Sequence, residues 1–232
     1  MGRGSSKSGG GGGMLTSAPS QSGIPVNLKD FPLATGPKDS TLSDAQRSTI
    51  EAFEAKRVGA PIEYVMILDS QGNTTIPYSA GDVRGKKGSC GVDPKFFVGG
   101  EILSHNHPRA DAGEVGVLGG TFSGADLDIF TNHGGLKTIR ATAAEGTYSL
   151  SKGSGFNASA FSSYIKSAYA SADKVYKSTV DQLSADFKAG KITQQQYSRG
   201  NKRAFNKSLV DMHNALLAGQ KTHNYSYTLE TG

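Results

Sequence analysis

Cysteine is almost absent from this chain of 232 residues, which contains only Cys90. No disulfide can form within the chain, and this fits a reducing compartment. Long apolar runs are absent as well: no stretch is long enough to span a membrane, and none has the apolar centre of a secretory signal peptide. We therefore expect a cytoplasmic location and no membrane partner.

An excess of one charge sign is also lacking over most of the chain. Residues 1–156 contain 15 Lys and Arg against 15 Asp and Glu, whereas residues 157–232 contain 10 against 5, which accounts for the formal net charge of +5. A mild excess of this kind is more typical of a solvated helix face than of a nucleic-acid site. We therefore do not expect nucleic acid as a partner, although an acidic protein partner stays open.

The first 40 residues contain little that could build a core. Residues 1–23 are rich in Gly and Ser, with an unbroken run of glycine at 9–13, and residues 24–40 contain three prolines. Such a segment buries too little apolar surface to offset the entropy cost of ordering it. We predict a disordered tail over residues 1–40.

The first regular elements follow directly after this segment. Ser43 and Gln46 have the spacing of a helix capping box, which predicts a helix over residues 44–57. The run Ile62–Leu68 is the strongest strand signal in the chain. Turn-forming and then apolar residues over 69–78 predict that this strand continues into a hairpin.

A short apolar strand followed by two histidines is the most informative feature. Ile102 and Leu103 follow two glycines, which suits a buried strand that Pro108 ends. His105 and His107 are two residues apart, so an extended backbone places both imidazoles on one face. Two imidazoles on one face supply two of the three protein ligands that a catalytic zinc site typically has.

The next predicted helix offers a third ligand. Asp126 lies in the first turn of a segment that begins at Ser123 with helix-capping chemistry. A carboxylate in a first helical turn is favourable for structural reasons alone, because it interacts with the helix dipole. The same position holds the carboxylate rigidly enough to bind a metal, so both interpretations apply.

The order of these residues resembles the JAMM (MPN-type) metallopeptidase family, in which a distant Glu precedes His-x-His and then Ser-x-x-Asp. The chain has Glu63, then His-Asn-His-Pro at 105–108 and Phe-Ser-Gly-Ala-Asp-Leu at 122–127. It is similar in particular to the RadC-like branch and to JAMM-like domains of Mu-type phage head-morphogenesis and prophage proteins. Those domains also have a later Gly-Thr-Tyr-x-Leu strand, here at 146–150. The resemblance covers residues 60–150.

The resemblance implies a zinc-dependent peptidase or isopeptidase. His105, His107 and Asp126 would hold Zn²⁺. Glu63 would take a proton from the attacking water and deliver it to the leaving amine. Ser123 would hydrogen-bond the carbonyl oxygen as negative charge develops on it.

Two details qualify this assignment. Glu101 is a rival for the role of Glu63, but it precedes His105 by four residues, roughly 13 Å along an extended strand, which is far for sharing one water. Fifteen residues separate His107 from Ser123, more than is usual in the family. We expect this loop to fold out as an insert.

Residues 153–232 differ in character from the segment before them. Apolar and aromatic residues recur at three- and four-residue steps over 161–187 and again over 197–216, with a break at Gly190. This predicts a helical hairpin that packs on a JAMM-like metal-binding domain of residues 41–152, or on another subunit.

The predicted fold is therefore α/β, with a mixed sheet flanked by helices as in JAMM proteins, followed by a helical hairpin. We expect Zn²⁺ as cofactor and a protein or peptide substrate. Phage structural proteins or another subunit are the expected partners of the hairpin, in a bacterial host cell or in a virion. Two alternatives stay open: a non-catalytic virion or assembly module on the same fold, and a metal-dependent nuclease or toxin. The nuclease ranks last, because nuclease motifs disperse their histidines and asparagine over a longer unit.

Overall fold

A computed structural model describes residues 26–74, 83–84, 97, 101–108 and 116–231. In chain order the elements are a 3₁₀ turn at Leu28–Asp30, α1 (Asp44–Arg57), β1 (Tyr64–Leu68), β2 (Val83–Arg84), β3 (Glu101–Asn106), α2 (Gly124–Asn132), β4 (Leu136–Ala143), β5 (Gly146–Lys152), α3 (Ala158–Lys188), α4 (Gln194–His223) and β6 (Tyr225–Glu230). The strands form one sheet in the order β2-β1-β3-β4-β5-β6. Among the described strands, β3 and β4 are the one parallel pair of neighbours. The predicted α/β class with a mixed sheet is confirmed.

Helices cover both faces of the sheet. Successive side chains of a strand point to opposite faces, and on one face Met66, Leu68 and Ile102 pack with Ile50 and Phe53 of α1. The alternate side chains of β1 and β3 belong to the larger core, together with residues of α2, α3 and α4. The protein is therefore built in three layers, with the sheet in the middle.

The central strand and the helix after it bring the histidine motif and the Ser-x-x-Asp motif together. β3 is buried along its whole length, with β1 antiparallel on one side and β4 parallel on the other. A parallel connection needs a crossover, and α2 supplies it. This helix begins after its N-cap Ser123 and ends at its C-cap His133. The crossover brings the start of α2 close to the end of β3.

The two long helices form the predicted hairpin. α3 has 31 residues, which corresponds to about 46 Å at the helical rise per residue. The chain turns at Gly190, whose φ of 69° favours glycine, and α4 starts with a capping box between Thr193 and Gln196. The last buried residue of α3 is Ala172. The rest of α3, with the start of α4, forms a distal arm (residues 173–197).

Residues 26–40 do not form the tail that the sequence predicts. Val26 and Phe31 belong to the larger core. Asp39 is buried and accepts hydrogen bonds from two serine hydroxyls of β5, each at 2.7 Å. The segment is fixed by contacts with residues far along the chain, which its own composition does not show.

The hairpin is followed by a strand that the sequence analysis did not predict. β6 pairs antiparallel with β5 over six residue pairs and buries Tyr225, Tyr227 and Leu229. The sheet and the larger core therefore include residues from both sides of position 152. That position separates strands from helices, but it is not a boundary between two separate cores.

A buried ion network ties α1 to this C-terminal strand. Arg140 of β4 has no exposed surface. Its Nε lies 2.7 Å from Oε1 of Glu54 in α1, and its Nη2 lies 2.9 Å from Oε2 of Glu230 in β6. The carboxylate of Glu54 also accepts a hydrogen bond from the Ser104 hydroxyl at 2.9 Å. One guanidinium thus neutralises two buried carboxylates from different parts of the chain.

Several sequence-based expectations fall outside the described residues. These are the structure of residues 1–25, the returning strand of the first hairpin and most of the loop inserted after His107. Within the described part of the chain, none of the helices combines the length and apolar character of a membrane span.

Candidate metal centre

The candidate ligands meet at the end of β3. The Nε2 atoms of His105 and His107 and a carboxylate oxygen of Asp126 all lie within 4.8 Å of one another. Within the described ranges this is the one cluster of three or more His, Cys, Asp or Glu side chains close enough to share a metal ion. The three residues predicted as ligands are therefore brought together.

The strand places the two imidazoles on one face, as their spacing predicts. His105 is the last residue but one of β3 and lies opposite Val65 in β1. His107 continues the strand direction by one more hydrogen bond, because its backbone N–H donates to the Thr142 carbonyl at 2.9 Å. The two ring centroids are 5.0 Å apart.

The start of α2 holds the carboxylate. The Ser123 hydroxyl accepts a hydrogen bond from the Asp126 N–H at 3.3 Å, and Oδ2 of Asp126 accepts one from the Ser123 N–H at 2.7 Å. This reciprocal capping box fixes the carboxylate and leaves Oδ1 directed at His105, 3.4 Å from its Nε2. The structural interpretation of Asp126 is confirmed, and the cap is what aims the carboxylate at the histidines.

The spacing of the donor atoms suits a small divalent cation. The two Nε2 atoms are 3.2 Å apart, and the Asp126 oxygens lie 3.4 Å and 4.0 Å from the two Nε2 atoms. In a tetrahedral zinc site, metal–ligand distances of about 2.0 Å imply ligand atoms about 3.3 Å apart. The two donor pairs that include His105 already have this spacing, at 3.2 Å and 3.4 Å, whereas Asp126 and His107 are farther apart, at 4.0 Å.

The hydrogen bonds of Nδ1 determine the tautomer of His107. Its Nδ1 lies 2.9 Å from the Gly120 carbonyl and 3.1 Å from the Gly119 carbonyl. A carbonyl oxygen can only accept, so Nδ1 carries the hydrogen and the lone pair of the neutral ring is on Nε2. Backbone carbonyls orient metal-binding histidines in this way in many proteins.

His105 lies deeper than its neighbour. Its side chain is 1% exposed, against 15% for His107 and 14% for Asp126. The Nδ1 atom of His105 is buried and has no hydrogen bond of normal geometry within the described structure. The Arg140 carbonyl is near enough to help raise the pKa of His105. The site is thus closed behind His105 and accessible on the side of His107 and Asp126.

The electrostatics of the cluster favour a cation. Burial by itself would lower the pKa of His105, but Asp126 and Glu63 outweigh it, and this pKa lies above its usual value. Burial likewise opposes ionisation of Asp126, but the two imidazoles outweigh it and hold the pKa of this carboxyl well below its usual range. The carboxylates therefore favour positive charge at this position, either as a proton on His105 or as a bound cation.

The structure separates the two candidate bases. Glu63 lies two residues before Val65, the residue of β1 that pairs with His105. Glu63 also contributes to the raised pKa of His105. Glu101 lies at the other end of β3 and is fully buried. Of the two, Glu63 is the carboxylate beside the cluster.

Ser123 is exposed at the rim of the cluster. Its hydroxyl oxygen accepts the Asp126 N–H, which leaves the hydroxyl hydrogen free to donate. All five predicted site residues therefore lie at or beside one position. His133 instead caps α2, His223 stacks on Tyr164 with ring centroids 4.5 Å apart, and His213 is bonded inside the core.

Sequence analysis missed the backbone that supports His107. The segment Gly116–Gly120 (the strap) lies at the end of the inserted loop, and its carbonyls receive the His107 Nδ1–H. Side chains of Glu145 and Asn206 hold the strap through its N–H groups. The one sequence signal was the clustering of glycines in the loop, since close backbone approach favours glycine.

Comparisons of the chain with protein-family models, with curated proteins and with solved structures found no match. The chemistry of the site is therefore the basis for assigning a function.

Proposed function

We propose that the protein is a zinc-dependent peptidase or isopeptidase of the JAMM type, encoded by a phage or prophage. The single observation that carries the proposal is the convergence of His105 Nε2, His107 Nε2 and Asp126 Oδ1, with separations of 3.2 Å and 3.4 Å to His105. Two imidazoles and one carboxylate form a donor set typical of catalytic zinc, which leaves one position for a reactant.

The support is of two kinds. The distances between the three donor atoms, and the hydrogen bonds of His107 Nδ1 to backbone carbonyls, fit a metal site. The order Glu, His-x-His, Ser-x-x-Asp along the chain resembles the JAMM family. A zinc ion bound there would supply Lewis acidity toward a water molecule and a carbonyl oxygen.

The roles of the protein groups follow from their positions. Glu63, whose charge acts on His105, takes the proton of the attacking water and passes it to the leaving amine. The Ser123 hydroxyl donates its free hydrogen to the carbonyl oxygen as charge develops there. Substrate approaches on the side of His107 and Asp126, because His105 is closed behind them.

The experiment is a metal analysis joined to an activity assay. Purified protein is equilibrated with Zn²⁺, Fe²⁺ or Mn²⁺ in turn, and elemental analysis then gives the bound metal per chain. The zinc form is incubated with a panel of peptides and Lys-linked isopeptides, and amide cleavage is followed by mass spectrometry. Selective zinc binding with cleavage supports the proposal, whereas preference for iron points to the two-His, one-carboxylate sites of oxygenases.

A second candidate, a non-catalytic virion or assembly module, is favoured by the distal arm. Residues 173–197 extend beyond the last buried residue of α3 and carry exposed apolar side chains such as Val175 and Phe187. Such an arm suits contact with another subunit or a phage structural protein. A protein that binds no metal but assembles with virion components would support this candidate.

A further inference from the structure

We propose that Glu145, in the turn between β4 and β5, is a positioning residue of the metal centre that acts on His107 through the backbone of the strap. The proposal rests on the proposed function, because it assumes that His107 is a metal ligand. Glu145 is 38 residues away from His107 in sequence, and its hydrogen bonds connect it to the strap and to Tyr148.

The contacts form a continuous chain from Glu145 to the ligand. The two carboxylate oxygens of Glu145 accept hydrogen bonds from successive N–H groups of the strap, Gly119 N at 3.0 Å and Gly120 N at 2.8 Å. The carbonyls of the same two glycines accept the Nδ1–H of His107. The Tyr148 hydroxyl donates to Glu145 at 2.8 Å and fixes the carboxylate in turn.

One peptide group is polarised from both ends. The Gly119 carbonyl and the Gly120 N–H belong to the same peptide unit, so a negative charge on the N–H side makes the oxygen a stronger acceptor. A stronger acceptor on Nδ1–H makes Nε2 of the imidazole a better donor to a metal. Glu145 therefore acts on metal affinity without entering the coordination shell.

The backbone conformation of the strap is fixed by two glycines and by a second side chain. Gly116 and Gly120 have φ values of 89° and 81°, which favour glycine. The buried Asn206 of α4 also accepts from the Leu118 N–H at 3.0 Å and donates to the Gly116 carbonyl at 2.9 Å. Two side chains from distant elements thus fix the strap, and Glu145 is the charged one.

The first test is zinc affinity of the full chain, measured by competition with a chelating dye. We expect Glu145→Gln to bind about one zinc per chain but about 10- to 100-fold more weakly than wild type. Gln has one acceptor oxygen where Glu has two, so it cannot give each strap N–H its own oxygen, and it brings no charge. The matched control is Glu51→Gln, the same chemical change on α1, where Glu51 pairs with Lys38 on the protein surface. Equal zinc affinity of Glu145→Gln and the control would overturn the proposal.

The second test needs no metal and separates this proposal from the proposed function. Long-range ¹H–¹⁵N correlation spectra of the metal-free protein report which nitrogen of His107 carries the hydrogen. We expect the Nδ1–H form in wild type and in the control, and a mixture of tautomers in Glu145→Gln. An unchanged tautomer would overturn the positioning role. If wild type binds no zinc while the tautomer does change, the proposed function fails, and what remains is that Glu145 orients the His107 ring.

A third variant keeps the proposal testable if Glu145→Gln does not fold. If thermal melting of metal-free Glu145→Gln shows an unfolded protein, Tyr148→Phe becomes the deciding variant, because it removes only the hydroxyl that fixes Glu145. We then expect a smaller loss of zinc affinity, about threefold to tenfold, with a melting temperature near that of wild type. Wild-type affinity in folded Tyr148→Phe, with an unchanged His107 tautomer, would count against the proposal.

Discussion

Replacing Arg140 with methionine tests the buried network that joins α1, β4 and β6. The guanidinium makes four hydrogen bonds of 2.7 Å to 3.0 Å to two carboxylates. The side chains of Glu54 and Glu230 are only 6% and 7% exposed. Methionine fills much of the space of the arginine but supplies no charge and no donor, so two carboxylates would remain buried together without a cation.

The burial of both carboxylates determines how much the free energy of unfolding falls in Arg140→Met. Breaking a buried ion pair by removal of one partner costs about 3–5 kcal/mol, because the remaining charge is uncompensated. Arg140 has two such partners, so we expect the free energy of unfolding to fall by the upper value of this range or more, about 5 kcal/mol. Adding Glu54→Gln and Glu230→Gln to Arg140→Met should restore part of the loss, because no unpaired charge then remains.

Urea unfolding at neutral pH measures these free energies directly. The control is Arg203→Met, because Arg203 pairs with Asp30 at the surface, where the two side chains are 50% and 41% exposed. We expect the control to change the free energy of unfolding by less than about 1 kcal/mol. A loss of less than about 1 kcal/mol for Arg140→Met, equal to that of the control, would refute the reasoning.

Three further predictions concern the base, a buried histidine and the last strand. Glu63→Gln should keep zinc binding and lose amide hydrolysis, since the side chains are nearly isosteric and only proton transfer suffers; if Glu101→Gln is the inactive variant instead, the assignment is wrong. Burial lowers the pKa of His213, so the wild-type fold should lose stability as pH falls below about 6.5. Urea unfolding at neutral and mildly acidic pH should show a weaker pH dependence for His213→Gln, and an equal one would contradict this. Deletion of residues 224–232 should lower the melting temperature sharply or abolish folding, because it removes β6 from the sheet. Deletion of residues 231–232 is its control, and a folded protein without β6 would restore a separate domain boundary.

Local chemistry made part of the fold predictable. The starts of α1 and α2 are predictable from Ser43 and Ser123, and both helices have the reciprocal capping box that their sequences indicate. The ligand positions were predictable for the same reason. Alternation along a strand fixes the face of His105 and His107, and a capping box fixes the carboxylate of the first helical turn.

The elements that the sequence analysis missed depend on contacts between distant residues. β6 contains an alternating Tyr225, Tyr227 and Leu229 pattern, but it follows α4 after a single residue, so the helical period hid it. Val26 and Phe31 are isolated apolar residues that enter the core only because the folded sheet and α4 offer a surface. The support of His107 by Glu145 and Asn206 likewise arises only when the strap, the β4–β5 turn and α4 meet.

The most direct test of the account is the zinc content of four proteins by elemental analysis after equilibration with Zn²⁺. Wild type and the control variant His223→Ala should each contain about one zinc per chain. His107→Ala and Asp126→Ala should contain almost none, with far-UV circular dichroism close to that of wild type. A wild-type protein without zinc, or a full complement of zinc in either ligand variant, would contradict the assignment of the metal centre.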